Sequence, residues 1–347
     1  MLKQVITRRF AVLTLAILGM SALASCTTPQ ANQPAASGTT AGATCAPEFA
    51  QLDFGIISTE SQDNQKPKWE PFIQAMSEQL GRPVKASYAT DYAAVIEAMG
   101  AKKVQIAWYG GKSYIEAADR SNAEAFARVI NEDGSRGYFS HLITNVQNPI
   151  VSKIDLTKGD GDQYVVKNSK DLTFAFNDPE STSGFLVPGY YVFARNGVNP
   201  DGAFKNLTFA GSHEATAQAV INNQVDVATN NSEQMEIIKA ADPEAYKKIQ
   251  VIWTSPEIPS DPIAYRKDLP DCLKQQIKDF FLSYKDASIL GALDWQGFEP
   301  AQDTDWNTIR ELKIGKEIMD IQNDKKMGEA DKAQKVAELN KQLEALK

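Results

Sequence analysis

The sequence predicts an α/β protein of two lobes with a cleft between them. Short apolar runs alternate with helically spaced segments, the pattern of a parallel sheet covered by helices. That alternation comes in two series, parted by polar, turn-rich breaks at 145–163 and 255–262. The 347 residues and 43% apolar content suffice for two cores. Open sheets of this kind bind ligands at the carboxyl ends of their strands, and a hinge lets a cleft close.

The chain opens with Lys3, Arg8 and Arg9, followed by the apolar run "FAVLTLAILGMSA", too short to span a membrane. This reads as an export segment over 1–25. "LASC", ending at Cys26, resembles the lipobox of bacterial lipoproteins, in which the Cys receives lipid; plain secretory cleavage beside an incidental Cys is the alternative. Residues 26–47 are small, polar and Pro/Gly-bearing, too poor in apolar surface to fold, and read as a flexible tether. The expected location is extracytoplasmic, lipid-anchored to a bacterial membrane. The formal net charge of −8 argues against nucleic acid as a partner. Cys45 and Cys272 are a disulfide candidate in an oxidising compartment, with two free buried thiols as the alternative.

In the first series, "LDFGIIS" (52–58), "VKASYA" (84–89) and "VQIAWYG" (104–110) are strands. Between them, "KWEPFIQAMSEQLG" (68–81) carries Phe72, Met76 and Leu80 at helical spacing, and Gly81 stops it; "DYAAVIEAMG" (91–100) is a second helix. The second series runs from "LTFAF" (172–176) through a helix, "LTFA" (207–210), a helix from His213 to Asn223, "VDVATN" (225–230) and a further helix to "IQVIWTS" (249–255). Two more helices follow, "PDCLKQQIKDFFLSYK" and a segment around Ile289–Leu293. The lobes are expected at 48–152 with 262–315, and at 153–261. The remainder, 316–347, is a helical tail with Val336, Leu339, Leu343 and Leu346 on one stripe, for packing on its own lobe or for a homodimer contact.

Catalytic signatures are scarce. No Walker A loop, G-x-G-x-x-G or G-x-S-x-G is present, and no His/Cys cluster has metal spacing, so no cofactor and no metal are expected. "GDGD" (159–162) reads as a turn. What stands out is "DPESTSGF", Asp178 to Phe185: a strand, an Asp-Pro turn, then Ser181, Thr182 and Ser183 at a helix start. A helix start offers unpaired N–H groups and a positive dipole end, and three hydroxyls add donors there. One hydroxyl suffices for a cap, so the row reads either as an anion cradle or as an ordinary N-cap in a turn.

"FGIISTESQ", "DYAAVIEAM", "VQIAWYG", "DPESTSGFLVPGYYVFARN", "SHEATAQAV" and "VDVATNNSE" together resemble the periplasmic phosphonate-binding proteins of phosphonate ABC transporters, from about Leu52 to about Arg266. The resemblance implies a type II periplasmic-binding fold, no enzymatic activity, a small phosphonate as ligand, and a membrane permease with its ATPase as partners. It implies that Ser181, Thr182, Ser183, Tyr92, Tyr138 and His213 hold the phosphonate oxygens. Glu233 and Asp261 match carboxylates that hold the amino end of an aminophosphonate. Ser58, Thr59, Tyr109 and Asn230 are further candidates at strand ends. 2-Aminoethylphosphonate is the expected ligand, with methylphosphonate, phosphite or phosphate as the alternative; a phosphonate-handling hydrolase is the distant one.

Overall fold

Leu52, Phe54 and Ile56 are buried along β1 (Leu52–Ile56), a strand of the sheet that organises the first lobe. The computed structural model describes residues 45–347. The expected export segment, Cys26 and the tether up to residue 44 lie outside the described residues.

After β1 the chain runs α1 (Gln62–Leu80), β2 (Val84–Tyr88), α2 (Tyr92–Gly100), β3 (Ile106–Trp108), α3 (Gly111–Arg120) and β4 (Ala123–Asn131). A short strand, β5 (Gly137–Tyr138), leads into the second lobe. There follow β6 (Ser140–Asn145), α4 (Gly161–Asn168), β7 (Thr173–Phe176), a helical segment over 182–196, β8 (Asn206–Phe209) and α5 (His213–Ile221). Then come β9 (Val227–Asn231), α6 (Ser232–Ala241), α7 (Pro243–Tyr246) and β10 (Ile249–Thr254). The chain returns through β11 (Ile258–Pro259) into β12 (Pro262–Arg266), α8 (Asp271–Ser283), α9 (Ala287–Gly291) and β13 (Trp295–Pro300). It ends with α10 (Asn307–Asn323) and α11 (Glu329–Ala345).

Two sheets result, with strand orders β13-β4-β12-β3-β1-β2 and β10-β6-β9-β7-β8. The pair β5–β11, antiparallel, forms a separate ribbon where the chain passes between them. Two expectations are corrected here. The boundary at 152 is too late: β6 pairs with β9 and β10 in the second sheet, so the crossing falls near Tyr138. The sheets are also mixed rather than parallel. Returning from the second lobe, β12 slots antiparallel between β3 and β4, and β6 runs antiparallel to β9.

The first lobe's core is aromatic: Trp69, Phe72, Phe280 and Phe281 pack against Phe54 and Phe298. α1 begins at Gln62, earlier than the spacing of its apolar residues indicates, and keeps Pro67 and Pro71 inside it. An interior proline costs about 3 kcal/mol. The buried face of Trp69, Phe72, Ile73, Met76 and Leu80 offsets that cost. Cys45 and Cys272 are joined, tying the start of the described body to α8 across 227 residues. α11 lies on α10, with Leu339 buried and Val336, Leu343 and Leu346 half-buried.

Candidate functional site

Helices of both lobes begin at the cleft, because each follows a strand whose carboxyl end faces it. Tyr92 opens α2, His213 opens α5, and Glu233 lies in the first turn of α6. Asp91, Ser212 and Asn231 cap those helices through their side chains. The dipoles of these helix starts give the cleft a positive background.

The hydroxyl row sits at the start of the segment 182–196, which opens in wide π-type turns. Asp178 Oδ1 accepts from the Glu180 N–H at 2.7 Å, closing the turn that delivers the row. Each hydroxyl oxygen is already engaged. Ser181 Oγ accepts from the Gly184 N–H at 3.0 Å, and Thr182 Oγ1 accepts from the Lys112 N–H at 2.8 Å. Ser183 Oγ lies 3.3 Å from His213 Nε2. An oxygen that accepts from an N–H turns its own O–H elsewhere. In the tautomer with hydrogen on Nε2, all three O–H groups are left to donate. The row is fixed from behind, where Ser140 Oγ donates to the Ser183 carbonyl at 2.6 Å and Thr229 Oγ1 to that of Gly184 at 2.7 Å. Glycine is required at 184, since a Cβ there would fall 2.2 Å from the Asn177 Cβ.

All eight leading candidates line one cavity of ≈ 80 Å³: Ser181, Thr182, Ser183 and His213 from the second lobe with Tyr92 from the first, and Tyr138, Glu233 and Asp261 beyond them. That is far below the roughly 300–1,000 Å³ of a drug-sized pocket. Burial raises the pKa of Tyr92 and Tyr138 well above the ordinary phenol value, with the charge of Asp261 adding to both, so each keeps a donor hydrogen. Burial pulls His213 down to about 3, so the ring is neutral and its role is hydrogen bonding.

Carboxylates complete the lining. Asp261 is buried, and burial raises its pKa to about 7, although Trp108 Nε1 donates to its Oδ2 at 3.0 Å. Its Oδ1 is buried with no partner among the described residues. Glu233 is raised well above its ordinary value, by burial first and by the charges of Asp261 and Asp294 next. Asp294 follows to about 6, chiefly through burial. Glu60 and Lys68, paired at 2.7 Å, line the same cavity. The cavity therefore brings hydroxyl donors and charge-starved carboxylates into one lining, the complement of a small molecule that carries both an anionic and a cationic group.

The second-rank candidates divide. Thr59 lines the cavity. Tyr109 does not: its ring is buried in the first lobe's core, with its hydroxyl 3.4 Å from the Val95 carbonyl. Trp108, its neighbour, lines the cavity instead, because successive strand residues point to opposite faces and only the sheet's placement decides which faces the cleft. Asn230 stands behind the site, donating to the His213 carbonyl and to Thr216 Oγ1, both at 2.9 Å. Ser58 Oγ is buried with no partner among the described residues and does not line the cavity. Besides Trp108, the residue-level reading missed Asp294 and Trp295, which arrive on the return through the first lobe.

Residues 54–306 match the family model described as "ABC transporter, phosphonate, periplasmic substrate-binding protein". The chain is 46% identical over 299 residues to the phosphonates-binding periplasmic protein of Escherichia coli (strain K12), covering 85% of each. A crystal structure of a binding-protein component of an ABC phosphonate transporter from Pseudomonas aeruginosa is similar at a TM-score of 0.80 and 44% identity, covering 85% of this chain and 96% of that one. A Prochlorococcus marinus protein solved in complex with methylphosphonate shares the fold at a TM-score of 0.67 and 24% identity, covering 77% and 99%.

Proposed function

Because the chain belongs to the periplasmic substrate-binding proteins of phosphonate ABC transporters, we propose that its cleft captures 2-aminoethylphosphonate for import. It is a binding protein and not an enzyme, and works outside the cytoplasm with the membrane components of its transporter. In this reading the O–H groups of Ser181, Thr182 and Ser183, with Tyr92, Tyr138 and His213, donate to the phosphonate oxygens. Glu233 and Asp261 take the ammonium. The observation that carries the reading is the pair of carboxylates that share the cavity with the hydroxyl row, Asp261 buried and Glu233 half-buried, with Asp261 Oδ1 unpartnered among the described residues. An ammonium pairs with both charges and offsets their burial, which a methyl group cannot do.

Calorimetric titration with 2-aminoethylphosphonate, methylphosphonate, phosphite and phosphate tests this. The amino compound should bind tightest. Equal or tighter binding of methylphosphonate would overturn the ammonium assignment, and no binding of any would overturn the cleft reading. The raised pKa values favour a second reading, in which protonated carboxylates tolerate an uncharged group.

The lipid anchor at Cys26 belongs to the same proposal. Cys26→Ser should move the protein from the membrane fraction to the soluble one. A homodimer would use the face of α11 that α10 leaves open; light scattering gives the protomer count directly, and a monomeric mass removes it.

A further inference from the structure

Asp178 and Glu180 precede the hydroxyl row and Glu214 follows His213, yet none of the three lines the cavity. Each reaches the other lobe. Glu214 Oε2 accepts from the Ser61 N–H at 2.6 Å and its Oε1 from Asn64 Nδ2 at 2.8 Å, at the N-cap and first turn of α1. Asp178 Oδ2 accepts from the Tyr92 N–H at 3.3 Å, at the first residue of α2. Glu180 Oε2 accepts from Lys112 Nζ at 2.5 Å, in the first turn of α3. The Lys112 and Glu180 side chains are only 10% and 21% exposed, so their charges are poorly screened by water. Two acids of the second lobe thus accept from the starts of first-lobe helices α1 and α2, where negative charge is favoured, and the third pairs with a lysine in the first turn of α3.

We infer that Asp178, Glu180 and Glu214 are affinity-determining residues that act without touching the ligand, by holding the two lobes together in the closed form. The inference rests on the cleft reading above. Opening the cleft would cost these bonds, so they bias the protein toward closure before the ligand adds its own contacts. Apparent affinity scales with the population of the binding-competent form. Their sequence positions explain the coupling. Glu180 and Glu214 are the immediate neighbours of Ser181 and His213, so docking either acid also sets an anion-facing side chain. Thr182 shares the arrangement, through the Lys112 N–H.

Because the acids lie outside the cavity, their loss should weaken all ligands by one factor. Glu180→Gln and Glu214→Gln, in the full chain, should each weaken 2-aminoethylphosphonate and methylphosphonate about tenfold, as loss of a charge-assisted bond implies. The loss should appear in faster dissociation, with the ligand-free melting temperature nearly unchanged. Lys112→Met, made on the opposite lobe, should reproduce the Glu180→Gln loss and add nothing to it in the double variant. If Glu214→Gln does not fold, Asn64→Ala, at an exposed position, removes one of its two bonds and should give a smaller loss of the same kind.

Wild-type affinity in the Glu180→Gln/Glu214→Gln double variant would overturn the inference while leaving the cleft reading intact. So would additive losses at Lys112 and Glu180, or a loss confined to one ligand. Failure of the wild-type protein to bind any phosphonate would overturn the cleft reading, and this inference with it.

Discussion

At the scale of single residues, the side chains proposed to hold the phosphonate carry no positive charge. They are hydroxyls, phenols and a neutral imidazole, with Ser181 fixed by the Gly184 N–H and Thr182 by the Lys112 N–H. Thr182→Ala removes one donor from a charged acceptor and should cost every phosphonate about 1.5–3 kcal/mol in a titration. A loss confined to one ligand would contradict the shared cradle. Glu233→Gln should weaken 2-aminoethylphosphonate on the order of 10–100-fold and methylphosphonate little, because a neutral amide no longer offsets the ammonium. Equal losses would end the ammonium role. Asp261 sets a pH dependence. With its pKa raised to about 7, it is protonated and uncharged below that pH, so affinity for the amino ligand should fall as pH drops through 7. Binding near pH 7 should release a proton to buffer. Asp261→Asn should flatten that part of the profile; an unchanged profile would place the titration elsewhere. The same raised value means that the empty protein binds more protons at this carboxyl than the unfolded chain does. Its stability contribution therefore falls as pH climbs from about 4 through 7.

At the scale of elements, the turn between β7 and the segment 182–196 concentrates several demands in few residues. Ser181 caps a helix start, Gly184 allows Asn177 to pass, and the wide turns keep three consecutive side chains at the cleft. Gly184→Ala should therefore lower the melting temperature by several degrees, as an overpacking cost of about 1–3 kcal/mol implies, and weaken phosphonate binding with it. A fully stable, fully binding variant would refute the close-approach argument. Gly110 plays a related part from the first lobe, since a Cβ there would lie 3.2 Å from Thr182 Oγ1. Most elements of the two alternating series were readable from apolar spacing and caps. β4, β6, β12 and β13 were not. β12 and β6 sit beside the crossings, and the "SPEIPSDP" break that reads as a loop holds β11 and the first residue of β12.

At the scale of the whole molecule, the crossings at β5 and β11 divide one chain into two sheets, and the acids of the second lobe meet the helix starts of the first. The Cys45–Cys272 bond closes a 227-residue span within the first lobe, with Cys45 packed against that lobe's core. Replacing both cysteines with serine should cost about 2–5 kcal/mol in denaturant unfolding and leave ligand affinity unchanged. A change in affinity would tie that bond to the cleft.

The sequence by itself determined the α/β class, the two series, and the hydroxyl row with its capping serine, because these depend on local periodicity and on the chemistry of neighbours in the chain. The resemblance carried by its motifs added the family and the distant carboxylates. Only the tertiary structure decided that Trp108 and not Tyr109 faces the cavity, that the lobes part near Tyr138, and that three acids lock onto helices far away in sequence. Those outcomes depend on sheet register and on the docking of one lobe against the other, and no local pattern encodes a distance between residues that meet only after folding.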